Sequence, residues 1–586
     1  MRTVLLLTSM AIIACSSHVT ARPPTVPIAS PTFRGTLRYE DGKIATDGLV
    51  VVTDLVDGKP AGVFTVNANG EFYGSIPAGE YAFAIASHAG FAWIERQSIP
   101  DMSIAVVLST ACQAITGRAP SAHSSGKAQA ALLRRSKFTG DTFMAPVHED
   151  DSFQLCVPDG SYKAFLTGDV LSLFEDVEVA GSTSVELRAY SAGSIRHKPD
   201  ASEKIVGDLN SLVDDIARSN PRIIGIGEGT HGTAEFYTAR GALTFELIRR
   251  ADMRMLFLEI DAIAATALDD YVNGGDIDLE KAVKELGFWI TNVEEFLAFL
   301  NRLREYNVAA KDKVHLWGID VQNTILPADI LLQDAPKLGI GPEDQATLRS
   351  AIEKRGRPFK EMTAEQRERI DALLARLAIP VSSERSNVLV AVAARSLSIQ
   401  LHYWDGDVAG HYNAMRDAGM ARMVVFLAGQ TSSPRIGLWA HDSHISKAPR
   451  DMKVGYLVAT ELAKMSASYY AVALYVLEGS VRAWDAQGKV GIISHPIPPA
   501  AEYTVERVLM TAAGMPEIAW MPLRQAPKEL ARWLELPRYV REVAAVFVES
   551  EVITLRSMRE SFDAIGVIRS GHDTTPTASA RAAMKK

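Results

Sequence analysis

Two side chains able to do acid–base chemistry stand three residues apart in Gly225-Ile-Gly-Glu-Gly-Thr-His-Gly232: Glu228 and His231. A histidine with an ordinary pKa near ~6.5 supplies a free base at neutral pH. A carboxylate bonded to one ring nitrogen would fix its tautomer and stabilise the imidazolium that forms. Proton transfer of this kind contributes roughly 100- to 10,000-fold to a rate. The same residues fit G-x-G-x-x-G, the pattern of a dinucleotide-binding loop after a strand. A glutamate inside a phosphate cradle repels the phosphate, by roughly 4 kcal/mol at ~4 Å and an effective dielectric of 20. The glycines read better as close backbone packing that thrusts Glu228 and His231 towards a crevice. The dinucleotide alternative requires binding of NAD or FAD.

Open α/β sheets bind ligands beyond the carboxyl ends of their strands. The apolar run Met255–Ile260 delivers Glu259, Val314–Ile319 delivers Asp320, and Arg435–Ala440 delivers His441, Asp442 and His444. With Arg222–Gly227, which delivers Glu228 and His231, four strands send ionisable groups to one edge. Arg240, about two turns into a helix if Thr233 starts it, can reach back to an oxyanion or substrate carboxylate, or pair with Glu228 or Glu259. Asp320 serves either catalysis or the sheet edge. The chain has neither a G-x-S-x-G elbow nor an H-E-x-x-H helix.

These groups need an α/β domain with a mostly parallel sheet, expected over residues 205–565, with Tyr470–Val476 as a fifth strand. A helical insertion from Pro342 to Trp404 has the look of an added layer or cap. The specificity surface is expected there and around Trp289, Tyr403 and Trp404. Ahead of this domain the texture is β: short Val-, Thr-, Phe- and Tyr-rich runs between Gly, Asp and Pro turns, read as β-sandwich modules 33–109 and 110–190. They carry an internal repeat. Asn69-Gly-Glu-Phe-Tyr-Gly-Ser-Ile-Pro-Ala-Gly-Glu-Tyr81 matches Asp150-Asp-Ser-Phe-Gln-Leu-Cys-Val-Pro-Asp-Gly-Ser-Tyr162, so that Phe72 and Phe153, Pro77 and Pro158, and Tyr81 and Tyr162 coincide. Neither copy offers a cluster of chemical groups, and both read as spacers or adhesive modules. The polar segment 566–586 is expected to be disordered.

The first 15 residues read as a targeting segment. Arg2 precedes an apolar stretch from Val4 to Ala14, and Ala14-Cys15 looks like a bacterial lipoprotein cleavage site with Cys15 as the lipid-bearing residue; a plain secretion signal is the alternative. Residues 16–32, rich in Ser, Thr and Pro, read as a flexible linker. Cys112 and Cys156 then remain, either paired or as two buried thiols. A net charge of −9 without a long basic run argues against a nucleic-acid binder.

Gly227-Glu-Gly-Thr-His231 with Glu235-Phe236 and Arg240 resembles the signature of the erythromycin esterase family. Phe257-Leu-Glu259, Gly318-Ile-Asp320, Arg416-Asp417 with Met420-Ala421, and Trp439-Ala-His-Asp-Ser-His-Ile445 are similar to its successive blocks. The resemblance runs from about Asp208 to Glu560. It implies hydrolysis of an ester or macrolide lactone by histidine-activated water, with no serine nucleophile and no cofactor. Carried over, His231 is the base and Glu259 orients or polarises it; Glu228, Arg240, His441 and His444 complete the site. Asp320, Arg416 and Trp289 are expected at the substrate. Asp442 departs from the pattern, which has an asparagine there. Two rival readings stay open. The same His/Glu cluster suits zinc or manganese in a metal-dependent hydrolase, or it belongs to a lipid-anchored surface protein that only binds a ligand or glycan.

Overall fold

A computed structural model describes residues 32–584 except 56–59, 100–101, 121–127, 135–141, 200–204, 206, 354–361, 406–411, 486–490 and 550–551. Cys15 and nearly all of the expected linker lie outside the described residues. The chain divides into two compact units between His197 and Lys198.

The first unit is built from strands. Those between Phe33 and Leu108 form a three-stranded and a four-stranded sheet, and those between Gln113 and Glu186 form another of each size. The sequence repeat has a physical counterpart. Tyr81 donates its hydroxyl to the Pro77 carbonyl at 3.0 Å, and Tyr162 does the same to Pro158 at 2.8 Å. Phe72 and Phe153 each lie across from a glycine, Gly35 and Gly117, where a Cβ would strike the ring. Cys112 and Cys156 form a disulfide with Cα atoms 5.6 Å apart.

The second unit holds a seven-stranded sheet. Its order is His315–Asp320, Met253–Asp261, Arg435–Trp439, Ile223–Ile226, Tyr469–Val476, Ala564–Ile568, Ile518–Pro522. All neighbours are parallel except the last pair. Strands Ile223–Ile226 and Tyr469–Val476 are buried along their whole length, as a sheet covered on both faces requires. The helices Ala364–Leu377 and Arg385–Asp405 do not stand apart as a cap. Leu374, Val392 and Leu397 share one core with Trp317 and Ile319 of the sheet.

The C-terminal segment expected to be disordered is ordered as far as Met584. Its polar residues pair across the chain. Thr574 N–H donates to Gly232 O at 3.0 Å, and Ala234 N–H to His572 O at 2.9 Å. Glu294 N–H donates to Thr575 O at 2.8 Å, and Thr577 Oγ1 bonds Asn292 Oδ1 at 2.5 Å. Residues 571–577 are thus a strap that ties the His231 loop to the segment around Asn292, and the helix Ala578–Met584 follows. A chain ending at Ser570 should lose roughly 1 kcal/mol for each of these bonds, read as a lower midpoint in denaturant unfolding.

Candidate functional site

The glycine loop is not a phosphate cradle. Three of its backbone N–H groups are spent on the protein: Gly227 donates to Val472 O at 2.9 Å, Gly229 to Leu474 O at 2.7 Å, and His231 to Val543 O at 3.3 Å. The glycines serve close approach. A Cβ at Gly227 would collide with the Asp442 carboxylate, and one at Gly232 with the Arg482 backbone carbonyl. Gly232→Ala is therefore expected to cost about 3 kcal/mol or more, because backbone rather than a flexible side-chain tip must move; thermal unfolding checks it.

The loop places Glu228 and His231 side by side. Glu228 Oε1 lies 2.9 Å from His231 Nδ1, and Oε2 lies 2.5 Å from Arg240 Nη2. All three side chains are nearly buried. Helix Ala234–Arg250 carries Arg240, with Thr233 at its N-cap. The guanidinium is held between the Tyr237 and Trp439 rings, 5.0 and 4.6 Å from their centroids. The carboxylate on the His231 imidazole is thus Glu228, not Glu259. With Nδ1–H donated to it, His231 keeps Nε2 as a free acceptor.

Glu259 has other partners. Its Oε2 accepts the His441 backbone N–H at 2.8 Å, and its Oε1 accepts from Arg416 Nη2 at 2.9 Å. Arg416 also donates to both Asp320 oxygens, at 3.2 and 2.8 Å. Asp320 therefore anchors Arg416, and Arg416 in turn holds Glu259. His444 lies between carboxylates: Nδ1 is 2.6 Å from Asp417 Oδ1, and Nε2 is 3.3 Å from Glu259 Oε1. Arg416 Nη1 is 3.2 Å from the same Nε2. The carboxylates at both nitrogens decide for an imidazolium, which donates to Glu259 and meets the guanidinium only as a neighbour. Burial opposes this charge, but Glu259 and Asp417 push the His444 pKa up to about 9. Against burial, His444 and then Arg416 and His231 hold Glu259 well below the usual carboxylate range.

The pH consequence follows from linkage. A folded pKa above the unfolded value gives stability that is complete below about 6.5 and is lost as pH rises through about 9. Unfolding midpoints measured between pH 6.5 and 9.5 should fall, and His444→Asn should flatten that fall.

His441 caps the short helix Asp442–Ile445 with its own ring. Nδ1 accepts the Ser443 backbone N–H at 3.2 Å and lies 2.9 Å from Ser443 Oγ. Its ring centroid is 4.7 Å from that of His231. Asp442 is fully buried, with Leu474 N–H 3.3 and 3.2 Å from its two oxygens. Burial, with Glu542 adding, raises its pKa well above the usual range. A protonated Asp442 adds no charge and has the shape of an asparagine. Asp442→Asn is therefore expected to keep fold and activity within a few-fold, as thermal unfolding and turnover on any ester the chain cleaves will show.

Except for Asp442, these groups line a cavity of about 420 Å³, together with Trp289, Phe288 and Lys453. Trp289 stands beside Arg482, whose guanidinium carbon is 5.6 Å from the ring centroid. Among the described residues none from 342–401 lines the cavity; its aromatic lining comes from Phe288 and Trp289 with Tyr237, Phe296 and Trp439. The side chains of Tyr403 and Trp404 lie outside the described residues. Ser443 and Lys453, which sets its Nζ 3.0 Å from Asp417 Oδ2, had no signal of their own in the sequence. Among the described residues no three or more His, Cys, Asp or Glu side chains are disposed to hold a metal ion.

Comparison with known proteins agrees with this architecture. The chain is 27% identical to an erythromycin esterase type I of Escherichia coli over 350 residues, covering 53% of this chain and 84% of that protein. It is 23% identical to the Escherichia coli erythromycin esterase type II, covering 42% of this chain and 63% of that protein. A solved Bacillus cereus protein shares the fold with a TM-score of 0.53 at 18% identity, over 66% of this chain and 97% of that one. The family model described as erythromycin esterase matches residues 248–570, more than half of the sequence, beginning near the end of the helix that carries Arg240. The chain belongs to the erythromycin esterase family.

Proposed function

We propose that this chain is an exported, lipid-anchored hydrolase that cleaves a carboxylic ester or lactone with water activated by His231. One observation carries the reading: a buried imidazole held by Glu228 through Nδ1, in a cavity it shares with His441, Glu259 and Arg416. Glu228 is itself held by Arg240, so the ring keeps one tautomer and its imidazolium is stabilised as water gives up a proton. The aromatic wall of Phe288 and Trp289 suits an apolar acyl or lactone group. The relatives' names make macrolide lactones the first substrates to try.

Export rests on the leader and Cys15, and the Cys112–Cys156 disulfide fits an oxidising compartment. Glu228, Glu259, Asp320 and Asp417 are each engaged by a cation of the protein, which favours water activated by a side chain over water activated on a metal. Purified protein should be assayed on macrolides and on a panel of simple esters and lactones, before and after exhaustive EDTA. Hydrolysis that survives the chelator is expected. Loss of activity that zinc or manganese restores would transfer the reading to a metal-dependent hydrolase.

A further inference from the structure

We infer that His441 is a fixed neutral hydrogen-bond donor, through Nε2–H, to the oxyanion formed when water attacks the ester, and that Ser443 sets it in that tautomer. The inference rests on the hydrolytic reading above and adds a role to it.

The geometry of the ring decides the tautomer. A backbone N–H can only donate, and Ser443 N–H points at His441 Nδ1 from 3.2 Å. Nδ1 therefore offers a lone pair, and the ring proton sits on Nε2. Ser443 Oγ, 2.9 Å from the same nitrogen, adds a second donor. His231 has the opposite arrangement, because its Nδ1 faces the Glu228 carboxylate. Two imidazoles with centroids 4.7 Å apart thus present one bare nitrogen and one N–H. That is a base and a donor in one cavity.

His441 Nε2 is buried and has no hydrogen-bond partner among the described residues. A buried donor left unmade costs about 1–3 kcal/mol, and such groups call for an explanation. On a residue that lines the cavity, a ligand oxygen supplies the missing acceptor. The charged surroundings agree. Burial and the nearby His231 and His444 disfavour a proton on His441, Arg556 adds to them, and Glu259 alone among these opposes them. A ring that stays neutral donates without giving its proton away.

Water oxygen bonds to the carbonyl carbon, the C=O π pair moves to oxygen, and the water proton passes to His231 Nε2. The oxyanion accepts a hydrogen bond from His441 Nε2–H. On collapse the C=O re-forms, the bond from carbon to the alcohol oxygen breaks, and that oxygen takes the proton from His231.

The test uses the full chain labelled with ¹⁵N-histidine, with and without a phosphonate ester analogue of the tetrahedral intermediate. His441 is expected to show a protonated Nε2 and a bare Nδ1 throughout pH 5.5–8, and its Nε2–H resonance should move when the phosphonate binds. A proton on Nδ1, or a ring that titrates in this range, overturns the inference. In kinetics His441→Ala should lower kcat roughly 100- to 1,000-fold, as loss of one oxyanion donor does. KM should stay within a few-fold and the acid limb of the pH–rate profile should be kept; His441→Gln, which restores an N–H, should recover part of kcat. Disappearance of the acid limb in His441→Ala would make His441 the base and refute the donor role. A wild-type chain that cleaves nothing on the panel sinks the hydrolytic reading and the donor role with it, while the resonances still report the tautomer.

Discussion

Replacing His231 by glutamine is expected to lower kcat/KM by about 1,000-fold or more, in a chain that still folds. Gln has nearly the reach of the imidazole and can still meet Glu228 through its amide, so the loop loses little packing. What it lacks is a basic ring nitrogen to take the proton from water. The loss should fall on kcat rather than KM, because the base acts only as water attacks. Glu228→Gln should cost less, about 100-fold. It leaves the base in place and removes the charge that holds Nδ1–H and stabilises the imidazolium. Circular dichroism and thermal unfolding of both variants separate chemistry from folding. His231→Gln within tenfold of wild type would remove the base from His231.

The five strands read from apolar runs are all present in the sheet, because Ile223–Ile226 and Tyr469–Val476 are covered on both faces and so nearly uniformly apolar. The two strands not anticipated are Ile518–Pro522 and Ala564–Ile568, the second of which runs into the segment read as a disordered tail. Type and position found Glu228, Glu259, Asp320, His441 and His444, since each lies at or just beyond the carboxyl end of a strand. Partnership was not legible. Which carboxylate meets His231 depends on rotamers and on a spacing of three residues within one loop, and the nearer acid in sequence is the one that bonds it. Ser443 reads as an ordinary polar residue until its backbone N–H is seen against Nδ1 of His441. The strap at 571–577 looked like a tail because its stabilisation comes from backbone pairing with Gly232, Ala234 and Glu294, which composition does not record.

Arg416→Met should be the most destabilising single change in the site, costing about 3–5 kcal/mol. Arg416 is one cation shared by two carboxylates, Glu259 and Asp320, which are 11% and 1% exposed. Methionine fills much of the same volume but leaves both charges without it. Glu259 keeps His444 and the His441 N–H, whereas among the described residues the Asp320 carboxylate keeps only a backbone N–H, that of Val321 at 2.8 Å. Asp320 therefore carries most of the penalty, and it already repels Asp261, whose pKa burial and this neighbour raise to about 6. Two consequences separate this account from simple loss of packing. The double variant Arg416→Met/Asp320→Asn should recover a large part of the loss, since the orphaned charge is gone; the difference between summed single effects and the double is the coupling. The deficit of Arg416→Met should also depend on pH. An unpaired buried carboxylate has a raised folded pKa, so it destabilises above that pKa and the penalty shrinks as acid protonates it. Wild-type Glu259, held low, behaves in the opposite sense and loses its contribution as pH falls through its folded pKa. Urea unfolding at pH 5 and pH 8 should thus give a smaller gap between wild type and Arg416→Met at pH 5. A deficit under about 1 kcal/mol at pH 8, or one equal at both pH values, would mean that solvent and not Arg416 neutralises these carboxylates.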